Sequence, residues 1–263
     1  MSEVPELLRE AAASFVLPVF GRAEAGAEEK APGEWVTVAD RAAEEFLTPR
    51  LAALVPGSVV VGEERAAADP AILGHLGAAG TAWLLDPVDG TANFAAGTGP
   101  FAMMAALLRQ GEIIASWILD PLSGRLAAAQ RGAGAWIDGQ RITASQTASP
   151  DAELRGAVLR RFLPREVTTR VAAAEARFKE LSAGSGCAGA DYPAIVTGER
   201  DFTLYWRALP WDHAPGALLA AESGATARRP DGSPYRPADH ARPGLLVARN
   251  AATWQQARIG LVP

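Results

Sequence analysis

The chain has 263 residues, 49% of them hydrophobic and 21% charged, and carries a net charge of −5. That length suits one large domain or two closely packed halves, and the acidic balance argues against broad electrostatic binding of nucleic acid. One cysteine, Cys187, excludes an intramolecular disulfide and a multi-cysteine zinc site, and with only His75, His213 and His240 a histidine-rich metal site is not expected. Met1 to Glu10 lacks a basic segment leading into an apolar one, and no stretch approaches the roughly 20 apolar residues of a spanning helix. A cytoplasmic protein without a membrane partner is the expectation.

In chain order, Glu3 to Phe20 reads as an amphipathic helix with Leu7, Leu8, Ala11, Phe15 and Val19 on one side. Gly21 to Gly33 reads as a polar connection. Thr37 to Leu54 reads as a second helix, with Thr37 as N-cap, Asp40 three residues on, and Pro49 expected to kink or divide it. Ser58 to Gly62 is a short strand running into Glu63-Glu64, and Thr81 to Leu85 a buried one. Phe101 to Arg109, Glu112 to Leu119 and Arg125 to Gln130 follow as antiparallel strands, and Trp136 to Gln140 continues them through an Asp138-Gly139 turn. The second part alternates. Gly156 to Arg161 is a strand, Glu166 to Leu181 and Ala190 to Thr197 helices, and Phe202 to Trp206 a strand. Asp212 to Glu222 is a helix, Leu245 to Ala248 a strand and Thr253 to Ile259 a last helix. A meander followed by alternation predicts an α/β (α+β) chain with two sheets layered between helices.

The most informative stretch is Asp86-Pro87-Val88-Asp89-Gly90-Thr91-Ala92-Asn93-Phe94, directly after the apolar Ala82 to Leu85. Pro87 fixes its own φ and lacks an N–H, while Gly90 permits close backbone approach. Such a turn can aim Asp86, the Val88 carbonyl and Asp89 at one point, and hard oxygens of this kind suit Mg²⁺. Asp40, Glu63-Glu64 and Asp212 supply further acids at element ends. Singly, Asp40 reads as a solvated first-turn acid, Glu63-Glu64 as a surface turn and Asp212 as a cap. Gathered without a cation, they would repel by roughly 4 kcal/mol per pair at about 4 Å and an effective dielectric near ~20. A fold that gathers them calls for divalent metal.

Four motifs in order carry a resemblance. They are Val36-Thr37-Val38-Ala39-Asp40, Gly62-Glu63-Glu64, Leu85 to Phe94, and Pro210-Trp211-Asp212; Gly132-Ala133-Gly134-Ala135-Trp136 adds a glycine-rich hairpin. With them the sequence resembles the inositol monophosphatase family of Mg²⁺-dependent, lithium-sensitive phosphatases. The resemblance implies a layered αβαβα sandwich of the inositol monophosphatase / fructose-1,6-bisphosphatase type. It implies one phosphatase domain over 1–263, built from a metal-binding half (1–145) and a substrate-side half (146–263). It implies two or three Mg²⁺ ions. Glu63, Asp86 and the Val88 carbonyl would hold one, and Asp86, Asp89 and Asp212 a second. Glu64 would serve a weaker outer shell. Asp40 and Thr91 would orient and deprotonate the attacking water, with Glu63 counted beside them as catalytic. Backbone N–H groups of Gly90 and Thr91 would bind phosphate oxygens. A homodimer is expected, as is common in the family.

Substrate choice falls in the second half. By the resemblance, Gly186, Cys187 and Ala188 occupy a substrate-facing stretch, with Cys187 in place of a small hydroxyl residue; it also reads as a small core residue. Seven residues before Asp212, where animal members carry a glutamate, stands Tyr205, which donates to a hydroxyl but cannot accept as a carboxylate does. Arg207 suits a second phosphate or a carboxylate, or is solvated. His213 reads as packing or exposed. The implied reaction is Mg²⁺-dependent hydrolysis of a small, inositol monophosphate-like phosphomonoester. Histidinol phosphate, fructose 1,6-bisphosphate and 3′-phosphoadenosine nucleotides are alternative substrates, and a regulatory binding protein that retains the site is the non-enzymatic alternative. Gly184 to Gly189 matches G-x-G-x-x-G but lacks the βαβ context of a dinucleotide site, and no P-loop occurs.

Overall fold

The computed structural model describes residues 2–22, 26–31, 34–77 and 79–263. A helix, α1 (Val4–Ala11), continues through a π-turn (Ala12–Val16) and a 3₁₀ turn (Leu17–Val19). A hairpin of β1 (Glu28–Ala31) and β2 (Glu34–Val36) follows, then α2 (Val38–Leu54) and β3 (Val59–Gly62). The short α3 (Glu63–Ala68) leads to β4 (Thr81–Asp89) and α4 (Thr91–Ala95). The meander is β5 (Ala102–Arg109), β6 (Glu112–Leu119), β7 (Leu126–Gln130), β8 (Gly134–Ile137) and β9 (Gln140–Ile142). The second part runs β10 (Arg155–Val158), α5 (Arg165–Ala174), β11 (Glu180–Ser182), α6 (Ala188–Thr197) and β12 (Phe202–Tyr205). It ends with α7 (Pro210–Ser223), β13 (Thr226–Arg228), β14 (Leu245–Ala248) and α8 (Ala251–Leu261).

Two sheets carry the fold. One has seven strands in the order β3-β4-β5-β6-β7-β8-β9, and the other five in the order β11-β10-β12-β14-β13. Alternation along the strands assigns each face to a layer. On β4, Trp83 and Leu85 pack with Leu8, Leu47 and Leu51 of α1 and α2, whereas Ala82 and Leu84 pack with Tyr192 and Leu218 of α6 and α7. On β12 and β14, Tyr205, Leu245 and Val247 join that same middle layer. Their alternates Leu204, Leu246 and Ala248 pack with Val167 and Val171 of α5 and Trp254 of α8. The layers are therefore helix, sheet, helix, sheet, helix: the expected αβαβα sandwich.

Four local expectations change. Part of the connection from Gly21 to Gly33 is the β1–β2 hairpin, hidden by its charged composition; residues 23–25 and 32–33 lie outside the described residues. Pro49 does not divide α2. It is exposed, so the Glu45 carbonyl it leaves without an N–H partner stays on a solvent-facing side. The helix read as Glu166 to Leu181 ends at Ala174, and Glu180–Ser182 instead pairs parallel to β10 as an edge strand. The Thr81 strand runs on to Asp89 rather than stopping at Leu85.

Candidate active site

A bulge within β4 brings the Asp86 motif together. Asp86 pairs with Met104 and Asp89 with Ala102, so three steps on β4 match two on β5. One extra residue breaks the two-residue alternation and leaves Asp86 and Asp89 on the same face despite their odd spacing. Val88 accordingly points with Leu85 into the α1–α2 layer. Pro87, lacking an N–H, is tolerated at such an irregularity. Gly90 then takes φ 85°, and a Cβ there would lie 3.0 Å from both Cys187 Cβ and the Pro100 carbonyl. Only glycine fits this step into α4.

Three elements converge on the end of β4. Glu63 is the first residue of α3, and Asp212 lies in the first turn of α7. One carboxylate oxygen each from Glu63, Asp86 and Asp212 lies within 4.8 Å of the other two. Burial, and then the neighbouring acids, push Asp86 and Asp212 well above the usual carboxylate range. Burial raises Glu63 to about 8, against the opposing pull of Lys30, whose ammonium lies 3.2 Å from Glu63 and 2.6 Å from Glu64. Buried like charges with converging oxygens are costly alone and suited to a hard divalent cation. Asp89 stands outside this triplet. Its Oδ2 accepts from Gly189 N–H (2.6 Å) and Cys187 Sγ (3.0 Å), and burial raises it to about 6 in spite of those bonds.

Asp40 is held as the α2 cap predicts. Thr37 N–H and Thr37 Oγ1 both donate to Asp40 Oδ2, at 2.8 and 2.5 Å. Thr91 Oγ1 donates to the Val88 carbonyl at 2.8 Å and reaches Asp40 Oδ1 at 3.3 Å. Burial raises Asp40 to about 6. Glu44, one turn further along α2, was not singled out by sequence. Its buried carboxylate accepts from the N–H groups of Glu64 and Arg65, both at 2.9 Å, and so ties down the turn that bears Glu63. Gly62 makes room for it, since a Cβ there would lie 2.3 Å from Glu44 Cδ.

Glu63, Asp86, Asp89, Thr91 and Asp212 line a cleft of about 460 Å³. Gly186, Ala188, Tyr205 and Arg207 line it as well, together with Arg160, Arg161 and Phe162, which sequence reasoning passed over. Cys187 is 1% exposed and belongs to the middle-layer core, where its thiol serves Asp89. Tyr205 is also 1% exposed, and its hydroxyl donates to Asp191 Oδ2 at 3.1 Å. Asp191 was missed too. Buried in the first turn of α6, it accepts from Ser185 Oγ at 2.7 Å and pairs with Arg200, so it fixes the Gly184–Ala188 loop from behind. Asn93 fastens that loop from the other side, donating to the Ser185 and Pro100 carbonyls at 2.9 and 2.8 Å. His213 is buried, lies 3.2 Å from Tyr192 Oη and is pushed down to about 3 by burial. It is a packing residue, one of the two readings the sequence left.

A layered sandwich whose cleft ends in converging carboxylates has close counterparts among known proteins. The model of the inositol monophosphatase family matches residues 2–262. The inositol-1-monophosphatase of Mycobacterium leprae is 33% identical over 242 residues, which cover 86% of this chain and 82% of that protein. The Nus factor SuhB of Pseudomonas aeruginosa is 32% identical over 204 residues, covering 74% of this chain and 72% of that one. The IMPase of Thermotoga maritima superposes with a TM-score of 0.81 at 22% identity, over 99% of this chain and 96% of that one. The chain belongs to the inositol monophosphatase family and is a phosphoric monoester hydrolase. No helix among the described residues is long and apolar enough to cross a membrane.

Proposed function

We propose that the chain is a Mg²⁺-dependent phosphatase of a small, inositol monophosphate-like metabolite, working as a cytoplasmic homodimer. The observation that carries this reading is the meeting of the Glu63, Asp86 and Asp212 triplet with the Asp40–Thr91 pair at the end of β4. The donor set is all carboxylate and carbonyl oxygen, which fits Mg²⁺. Glu63, Asp86, the Val88 carbonyl, Asp89 and Asp212 would hold two ions, and Glu64 would add to a third, weaker position. Bound Mg²⁺ supplies positive charge that neutralises the phosphate and stabilises the departing alkoxide.

The chain's own groups do the rest. Thr91 Oγ1, anchored between Asp40 and the Val88 carbonyl, holds the attacking water by a hydrogen bond. Asp40 takes up the released proton through that hydroxyl. Its carboxyl, raised to about 6, is matched to a proton acceptor working near neutral pH. Gly90 and Thr91 N–H groups would steady the phosphate oxygens. Attack comes from the side opposite the leaving oxygen, which the 146–263 half would position. Glu44, Asp191, Asn93 and Cys187 position these groups without touching substrate. The name of the Mycobacterium leprae relative supports an inositol phosphate as substrate. A binding role alongside catalysis is a second reading, favoured by the likeness to a Nus factor.

Thr91→Ala tests the assignment. Phosphate release is expected to fall at least about 100-fold, the lower range for a positioned proton-transfer group. Mg²⁺ affinity, read by calorimetry, should stay within severalfold of the parent. Activity near the parent level would remove Thr91 from the mechanism.

A further inference from the structure

The cleft wall built by the 146–263 half is largely apolar. β10 and β12 are parallel neighbours, so the turns that follow them emerge side by side. Leu159 N–H still donates to the Leu204 carbonyl at 3.0 Å, which carries the pairing one residue past β10. Leu159 and Phe162 come from the first turn, and Trp206 and Leu209 from the second. Ala183, after β11, and Trp35 of β2 complete the apolar lining. Trp206 packs against the outer core, and Leu159 and Leu209 against the middle layer. Side chains rooted in a core and open to a cleft make a pre-formed surface, as ligand sites commonly have.

The polar side chains of this wall are engaged or can only donate. Tyr205 stands where animal members of the family carry a glutamate, yet its hydroxyl is spent on Asp191 and the residue is 1% exposed. His213 is buried with Nδ1 on Tyr192 Oη. Arg160 pairs with Glu175, and the guanidinium carbons of Arg161 and Arg207 lie 4.6 and 4.3 Å from the Phe162 ring centre. A guanidinium donates and never accepts. Apart from Asp212, a member of the carboxylate triplet, the wall therefore offers no free side-chain acceptor to a substrate hydroxyl. A hydroxyl enclosed without a partner costs affinity, whereas an apolar ring gains it.

We infer that this wall selects the alcohol part of the substrate, and that the preferred substrates are phosphomonoesters whose alcohol turns an apolar ring face, free of hydroxyls, toward Trp206 and Phe162. This rests on the phosphatase reading, keeps its small monophosphate and narrows the alcohol.

The test compares cyclohexyl phosphate, inositol 1-phosphate and methyl phosphate with Mg²⁺. The first two share a six-membered ring and differ in its hydroxyls, and the third has no ring. Because the acidity of the leaving alcohol acts on kcat, the readout is KM, or for a slow ester its inhibition constant against a faster one. Burying about 60 Å² of apolar surface corresponds to roughly tenfold in affinity, so cyclohexyl phosphate is expected to bind about tenfold more tightly than either of the others. Trp206→Ala and Phe162→Ala should each shrink that preference about threefold, and Trp206→Phe should retain most of it. Melting temperatures verify folding, and Phe162, 38% exposed, decides the matter if Trp206→Ala does not fold. Inositol 1-phosphate binding as tightly as cyclohexyl phosphate, or a preference that the folded Ala variants keep in full, overturns the inference and leaves the phosphatase reading intact. No turnover of any of the three esters with Mg²⁺ overturns both.

Discussion

Asp89→Asn separates the electrostatic cost of the site from its chemistry. Asp89 is 8% exposed and its carboxyl is raised from 3.8 to about 6, chiefly by burial. A carboxyl raised on folding leaves stability intact below its unfolded pKa and costs stability as pH climbs through the folded value. Above pH 6 the full penalty applies: two pKa units at 1.36 kcal/mol each, or about 3 kcal/mol. An asparagine keeps an oxygen for the Gly189 N–H and the Cys187 thiol and removes the charge that Asp86 and Asp212 feel. With chelator at pH 8, Asp89→Asn is therefore expected to be more stable than the parent by about 3 kcal/mol. For a chain of this size that is roughly 6–12 °C in Tm. At pH 5 the gain should shrink to about half, because the parent's Asp89 is then largely protonated in the fold. With Mg²⁺ at about 100-fold over its Kd, the parent gains about 2.7 kcal/mol, and the order narrows or reverses as the variant loses a ligand. Thermal melts of both proteins, with chelator and with Mg²⁺, at the two pH values, read all of this. A variant that melts no higher than the parent in chelator at pH 8 would refute the claim that burying the Asp89 charge costs the metal-free fold stability.

Other substitutions probe the supports. Gly62→Ala should displace the Glu44 carboxylate from the Glu64 and Arg65 N–H groups, at a cost of about 1–3 kcal/mol, and weaken Mg²⁺ binding measured by calorimetry. Gly156→Ala would drive a methyl to within 2.0 Å of the Phe202 ring in the outer core. It should destabilise by about 1–3 kcal/mol in chemical denaturation while leaving Mg²⁺ affinity alone. His213 is held neutral, at about 3, so its contribution is intact above the unfolded value of 6.5 and is lost as pH falls. From pH 7 to pH 5 the stability advantage of the parent over His213→Gln should therefore shrink by about 2 kcal/mol; an advantage independent of pH would contradict its neutral burial.

Much of this site is legible in local sequence because local rules build it. Thr37 and Asp40 announce a cap, and the structure uses that same cap to fix Asp40. Asp86-Pro87-Val88-Asp89 announces a special backbone, though a strand bulge and not a strand end produces it; the extra residue depends on the partner β5, which a single strand does not reveal. Long-range partners stayed hidden. Nothing around Glu44 says that it will cap residues 20 positions away, and Asp191 reads as an ordinary first-turn acid until Ser185, Arg200 and Tyr205 surround it. Short strands were lost for a related reason. Glu28–Ala31 and Glu180–Ser182 carry too few apolar residues for alternation to register, and the apolar spacing from Val167 to Leu181 continues a helical period past the point where the chain leaves the helix. At the cleft rim, Arg161 and Arg207 are 46 positions apart, and only the parallel pairing of β10 with β12 brings them to one ring.

The central claim, water attack at a carboxylate-held Mg²⁺ site, is tested most directly by phosphate release with and without Mg²⁺. The panel is inositol 1-phosphate, histidinol phosphate, fructose 1,6-bisphosphate, 3′-phosphoadenosine 5′-phosphate and 2′-AMP, each with the Asp89→Asn control. The account expects strong turnover of at least one ester that requires Mg²⁺ and is lost in the control. Turnover that survives chelation, or that Asp89→Asn retains at saturating Mg²⁺, would contradict it.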